Sequence, residues 1–141
     1  TKKEQEKQDL KECILLDSGS SIDLFSNIKL VSKVYDSPTS LILTTNAGTK
    51  VSTTQAEVPD YGKVWFNKQA IANIFALTNL IKKYRVTYDS QEMDAFKVYT
   101  NNGIIEFHAN QEGLYTYMPS YPKILLVGLK KVIIVKKPNM R

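Results

Sequence analysis

Asp17 is the residue in this sequence best placed to do chemistry. It ends the run Cys13-Ile14-Leu15-Leu16 and opens Ser18-Gly19-Ser20-Ser21, so large apolar residues lead straight into a carboxylate and a small-residue turn. The apolar run predicts a buried strand over residues 12–16, and the Ser/Gly cluster a turn at its end. A carboxylate at the end of a buried strand is costly unless something pairs with it or uses it. The use that fits is hydrolysis by a pair of acids. Two carboxylates facing one water at about 3 Å cannot both ionise, so one acts as base toward the water while its protonated twin donates to the substrate carbonyl. Gly19 lets the backbone N–H come close to the carboxylate, and Ser18 and Ser20 add short hydroxyls beside it. The alternative reading of the same residues is a strand followed by an Asx-type turn.

The triplet Asp17-Ser18-Gly19 has no second copy: Asp36-Ser37 runs into Pro38, and Asp89-Ser90 into Gln91. One carboxylate cannot perform a two-acid reaction, so activity predicts a symmetric homodimer with Asp17 near the two-fold axis. Asp23, in a polar turn, is expected to be solvated or capping rather than catalytic. His108 is the only histidine and Cys13 the only cysteine, which leaves no metal-ligand set and no internal disulfide. His108 is expected on a strand or the surface, and no metal or cofactor is expected. The sequence contains no glycine-rich phosphate loop, no Gly-x-Ser-x-Gly elbow, no His-Glu-x-x-His and no internal repeat.

The elements that must position Asp17 are mostly strands. Ile22, Leu24 and Phe25 are expected to pack beneath the turn. Residues 36–40 (Asp-Ser-Pro-Thr-Ser) predict a turn, followed by a hairpin with arms 41–45 and 50–58 around a bend at Asn46-Ala47-Gly48. The second arm carries Thr, Ser and Gln and little apolar surface, so the hairpin is either a mobile flap over a site or an ordinary surface hairpin. After a turn at residues 59–62 and a strand at 63–66, Ala70, Ile71, Ile74, Phe75, Leu77, Thr78 and Ile81 recur at spacings of three and four and form one mostly apolar face. They predict a helix over residues 69–83, with Lys82 and Lys83 suited to its last turn. Strands are then expected at 85–88, 95–100, 104–108 and 114–118, with Asn101-Asn102-Gly103 as a hairpin turn.

From Asp17 to about Tyr117 the sequence resembles the protease segment of copia-type LTR retrotransposon polyproteins, a branch of the retropepsin family. Leu15-Leu16-Asp17-Ser18-Gly19-Ser20-Ser21 is similar to the family's active-site loop. Thr44-Thr45-Asn46-Ala47-Gly48-Thr49 resembles its flap. Gly62-Lys63-Val64-Trp65-Phe66 and Ile71-Ala72-Asn73-Ile74-Phe75-Ala76-Leu77-Thr78-Asn79-Leu80 resemble its later strand and its Asn-Leu-Leu-Ser helix, and Gly113-Leu114-Tyr115 its closing Gly-Leu-Tyr. The chain departs from the pattern at Ile74-Phe75-Ala76, where Leu-Leu-Ser is usual, and lacks a proline before that segment. The resemblance implies an all-β, mainly antiparallel, closed or nearly closed barrel with a flap hairpin and one helix. It implies an aspartic endopeptidase in which Asp17 is catalytic, Ser18, Gly19 and Ser20 support it, and Asn46, Ala47 and Gly48 lie over an extended peptide or polyprotein substrate.

Length and composition agree with one soluble domain: 141 residues, 43% apolar and 23% charged. Residues 123–141 carry six of the 19 Lys and Arg and none of the 14 acids, so the net charge of +5 divides into +6 there and −1 over residues 1–122. A near-neutral globular part argues against a nucleic-acid-binding face on it; only the basic tail is suited to such contact. Residues 1–12 are expected to be a linker, 13–118 the domain and 119–141 an extension. The apolar runs 124–128 and 132–135 in that extension are open to reading as a hairpin, an added sheet strand, or a segment outside the domain, and the retropepsin resemblance implies that one of them could join a dimer. The two runs, split by lysines, are too short and too charged to span a bilayer. A first residue other than Met predicts excision from a longer chain, and the lack of a signal-peptide pattern with a single cysteine predicts a cytoplasmic protein. Two further functions stay open: an inactive relic or dimerisation module of the same fold, and a nucleic-acid-binding module using the basic tail.

Overall fold

The computed structural model describes residues 9–46 and 48–119. Ala47 of the expected bend and both apolar runs of the tail lie outside the described residues. Ten strands and one short helix follow one another as β1 (Ile14–Asp17), β2 (Leu24–Phe25), β3 (Ser32–Thr45), β4 (Gly48–Val58), β5 (Gly62–Phe66), β6 (Asn73–Ala76), α1 (Leu77–Lys83), β7 (Arg85–Tyr88), β8 (Ala95–Thr100), β9 (Gly103–Ala109) and β10 (Tyr115–Tyr117). A 3₁₀ turn at Ile28–Leu30 follows β2. The all-β class and the mainly antiparallel pairing agree with the sequence.

All ten strands join one sheet in the order β3-β4-β5-β2-β6-β1-β10-β9-β8-β7. The ladder does not close: β3 and β7 are its edges. Closure into a barrel, as the resemblance implies, is therefore not seen in the hydrogen-bond ladder. Two pairs are parallel, β1 with β6 and β2 with β5. These put the strand that ends in Asp17 in the middle of the sheet, between β6 and β10. The core lies under this centre. Phe25 and Phe107 are almost wholly buried with Val64 and Val98, and Phe75 stacks against Phe25 and Tyr61 at ring-centroid distances of 5.1 and 4.4 Å.

Two expected elements differ. The predicted helix 69–83 is a turn, then β6, and only then α1. Ile71 and Ile81, placed on its apolar face, are 78% and 55% exposed. A run of apolar residues this short satisfies strand and helix templates alike. The parallel ladder with β1, running from Ile14↔Asn73 to Asp17↔Ala76, takes the backbone hydrogen bonds that a helix would have used. The predicted turn at 36–40 is instead a register shift inside β3, between Asp36↔Thr54 and Leu41↔Ser52. Pro38 has no N–H to give a ladder, and an edge strand with a bulge is where a sheet tolerates it. Ser37 Oγ accepts the Thr39 N–H there at 3.1 Å.

Beyond this shift the hairpin forms an arm. Residues 48–52 of β4 pair with β3 alone, while residues 55–58 also pair with β5. Ser52 is buried at the arm's root, its hydroxyl donating to Phe66 O at 3.3 Å. Ile42 and Val51 face each other across the arm and are both exposed.

Candidate active site

β1 alternates. Ile14 and Leu16 point into the core, while Leu15 and Asp17 lie on the other, half-exposed face. Asp17 is therefore half-buried, not buried as a strand sunk on both faces would make it, and the burial cost argued from the sequence falls accordingly. Gly19 N–H donates to Asp17 Oδ1 at 2.8 Å, which holds the carboxylate against the turn that follows it. A Cβ at position 19 would sit 3.5 Å from that oxygen, an ordinary contact. The glycine is thus not forced by sterics within the chain.

The supporting residues divide. Ser20 closes the turn: its hydroxyl donates to Ile22 O at 2.7 Å and accepts the Ile22 N–H at 3.2 Å. Ser18 is exposed at the tip. Asn46 and Gly48 are exposed at the end of the arm, where Thr45 pairs with Gly48 and Gly48 takes a φ of +121°. That φ is open to glycine and strained for other residues.

Two buried polar residues, Asn73 and Asp23, tie together the segments around β1, in roles that the sequence does not reveal. Asn73, at the start of β6, is fully buried. Its Oδ1 accepts the backbone N–H groups of Ser26 and Asn27 at 2.9 and 3.0 Å. Its Nδ2 donates to Lys11 O and Cys13 O, both at 2.9 Å. One amide thereby ties β6 to the entry of β1 and the exit of β2. Asp23, expected to be solvated or capping, is 7% exposed. Its Oδ1 accepts the Ala76 N–H at 2.8 Å and its Oδ2 the Tyr61 hydroxyl at 2.7 Å. Burial, together with this carboxylate, pushes the Tyr61 phenol far above its ordinary range. The signal for Asn73 was an amide inside Ile71-Ala72-Asn73-Ile74-Phe75. In a strand, Asn73 and Phe75 share the inward face.

His108 lies exposed on β9, its Nε2 at 2.7 Å from Glu106 Oε1, on the strand-surface site expected of it. Among the described residues no three His, Cys, Asp or Glu side chains gather closely enough to hold a metal ion, and no helix is long and apolar enough to cross a membrane. No family model, no curated protein and no solved structure gives a significant match to the chain.

Proposed function

We propose that the chain is an aspartic endopeptidase of retropepsin type, active as a homodimer, in which two Asp17 carboxylates activate one water. The observation that carries this is the 2.8 Å bond from Gly19 N–H to Asp17 Oδ1 at the end of a central strand. A carboxylate held by a backbone donor on a half-exposed face is oriented and still open to a second molecule. In the proposed reaction one Asp17 takes a proton from the water, and the other, protonated, donates to the scissile carbonyl. The substrate lies extended between the two turns and the β3–β4 arms, bonded through its backbone as an added strand. Polyprotein processing is the proposed role, and the barrel of a retropepsin subunit the proposed kinship of the sheet.

The test is incubation of the purified chain with a longer precursor containing it, at acid and neutral pH, with and without pepstatin. Defined, pepstatin-sensitive fragments that vanish with Asp17→Asn support the reading. Fragments that persist with Asp17→Asn overturn it. The absence of fragments from a folded dimer points to a dimerisation module instead.

A further inference from the structure

The ladder that carries Asp17 has four rungs, and side chains bolt both of its ends. At the first rung, Asn73 bonds across to Cys13 O. At the last, where Asp17 faces Ala76, the bolt is Asp23, whose Oδ1 takes the Ala76 N–H at 2.8 Å. Ala76 is itself fully buried and is the residue from which α1 starts. The other carboxylate oxygen of Asp23 holds the Tyr61 hydroxyl, in the turn joining β4 to β5. The backbone carbonyl of Asp23 accepts the Trp65 N–H of β5 at 3.0 Å. Asp23 is thus fixed from both sides, by the β4–β5 turn with β5 and by the strand beside β1.

A buried carboxylate is a poor way to gain stability, because apolar packing of the same volume is often as good or better. Here one of its bonds lies on the strand end opposite Asp17 and the other ties that end to the β4–β5 turn. We propose that Asp23 is a positioning residue: through Ala76 it fixes the last rung of the β1–β6 ladder, and with it the placement of the Asp17 carboxylate, while Tyr61 links that rung to the turn joining β4 to β5. The inference rests on the protease reading for its catalytic consequence. It can be tested without that reading, because the Gly19 amide donates to Asp17 Oδ1 and so reports where that carboxylate sits.

The experiment compares Asp23→Ala, Asp23→Asn and Tyr61→Phe in the full chain, by peptide cleavage and by the amide resonance of Gly19. Asp23→Ala is expected to lower kcat about tenfold or more with KM within about twofold, the pattern of a misplaced reacting group, and to move the Gly19 resonance. Asp23→Asn keeps an oxygen for the Ala76 N–H and is expected to restore most of both. If Asp23→Ala does not fold, Tyr61→Phe carries the test, with the same direction in both readouts. A folded Asp23→Ala or Tyr61→Phe with native kcat and a native Gly19 resonance overturns the proposal. If the native chain cleaves nothing, the protease reading fails, and the Gly19 resonance alone still decides whether Asp23 positions Asp17.

Discussion

Asn73 Oδ1 accepts the backbone N–H of Ser26 at 2.9 Å, joining residues 47 positions apart in the chain. The same side chain serves Asn27, Lys11 and Cys13, so it is matched to two backbone donors and two backbone acceptors at once. Only an amide of this length can do that. Asn73→Asp keeps the shape and removes both donated bonds, leaving the Lys11 and Cys13 carbonyls facing a carboxylate in a fully buried site. Lys11 O keeps the Asn27 side-chain amide at 2.7 Å, but Cys13 O is left unpaired beside a buried charge, and an unpaired buried group costs about 1–3 kcal/mol, more where a charge is involved. The expected loss of unfolding free energy is about 3 kcal/mol or more, measured by urea titration. A loss under about 1 kcal/mol would show that water or rearrangement replaces the amide.

Gly19→Ala separates what the turn needs from what a second molecule needs. The added methyl meets Asp17 Oδ1 at 3.5 Å and nothing closer, and Gly19 is absent from the positive-φ glycines. Where the native conformation suits alanine, the substitution narrows the unfolded ensemble and stabilises by about 0.4–1 kcal/mol. The variant is expected to be at least as stable as the native chain in thermal unfolding. If its cleavage activity nevertheless falls, the demand for glycine comes from the substrate or the partner subunit. A marked drop in melting temperature would place the demand inside the chain.

The sheet was legible where local chemistry and tertiary pairing agree. Asn101-Asn102-Gly103 predicts a hairpin turn, and β8 and β9 pair from Thr100↔Gly103 onward. The turn at residues 59–62, with Asp60 and Gly62 both at positive φ, likewise carries its signal in its own residues. Residues 73–76 fit a helix by their spacing, but their strand state is imposed by β1, a segment 59 positions away. The turn expected at Pro38 fails for a related reason: proline marks a break in a ladder, and a bulge on an edge strand breaks the ladder without reversing the chain. The strand that ends at Asp17 and the turn after it were readable from sequence. The buried roles of Asp23 and Asn73 were not, since their partners are backbone groups and a tyrosine hydroxyl, which no spacing rule encodes.

The Tyr61–Asp23 pair makes a prediction in alkali. Burial first, and then the Asp23 carboxylate, raises the folded-state pKa of Tyr61 above its ordinary value of 10.0. A raised folded pKa contributes stability that is fully present below the unfolded value and is lost as pH climbs toward the folded one. Native stability should therefore hold up to about pH 10 and decline above it, with Tyr84, Tyr88 and Tyr115, whose phenols are also raised, adding to the decline. Tyr61→Phe should be less stable at pH 7 by about 1–2 kcal/mol, for the lost bond and the bared carboxylate oxygen. It should lose less on going to pH 11, so the two stability curves converge. Urea unfolding at both pH values checks this, and an unchanged gap would mean that the phenol is not coupled to folding.

Ile42 and Val51 are direct partners across the β3–β4 arm, 64% and 59% exposed. Little apolar area is lost to water if both are replaced, so Ile42→Thr with Val51→Thr should move the unfolding free energy by no more than about 0.5 kcal/mol. Ile42 and Val51 are the exposed large hydrophobics of this arm, and such an exposed cross-strand pair has no evident use in folding the chain. If the arm closes over an extended peptide, the pair meets the peptide, and the double variant should bind it more weakly. Asp17→Asn supplies a background in which binding can be measured without turnover. In that background the double variant should raise the Kd of a cleavable peptide severalfold, by calorimetry or fluorescence, while its melting temperature stays where it was. An unchanged Kd would take the arm out of the substrate site and leave it an ordinary surface hairpin.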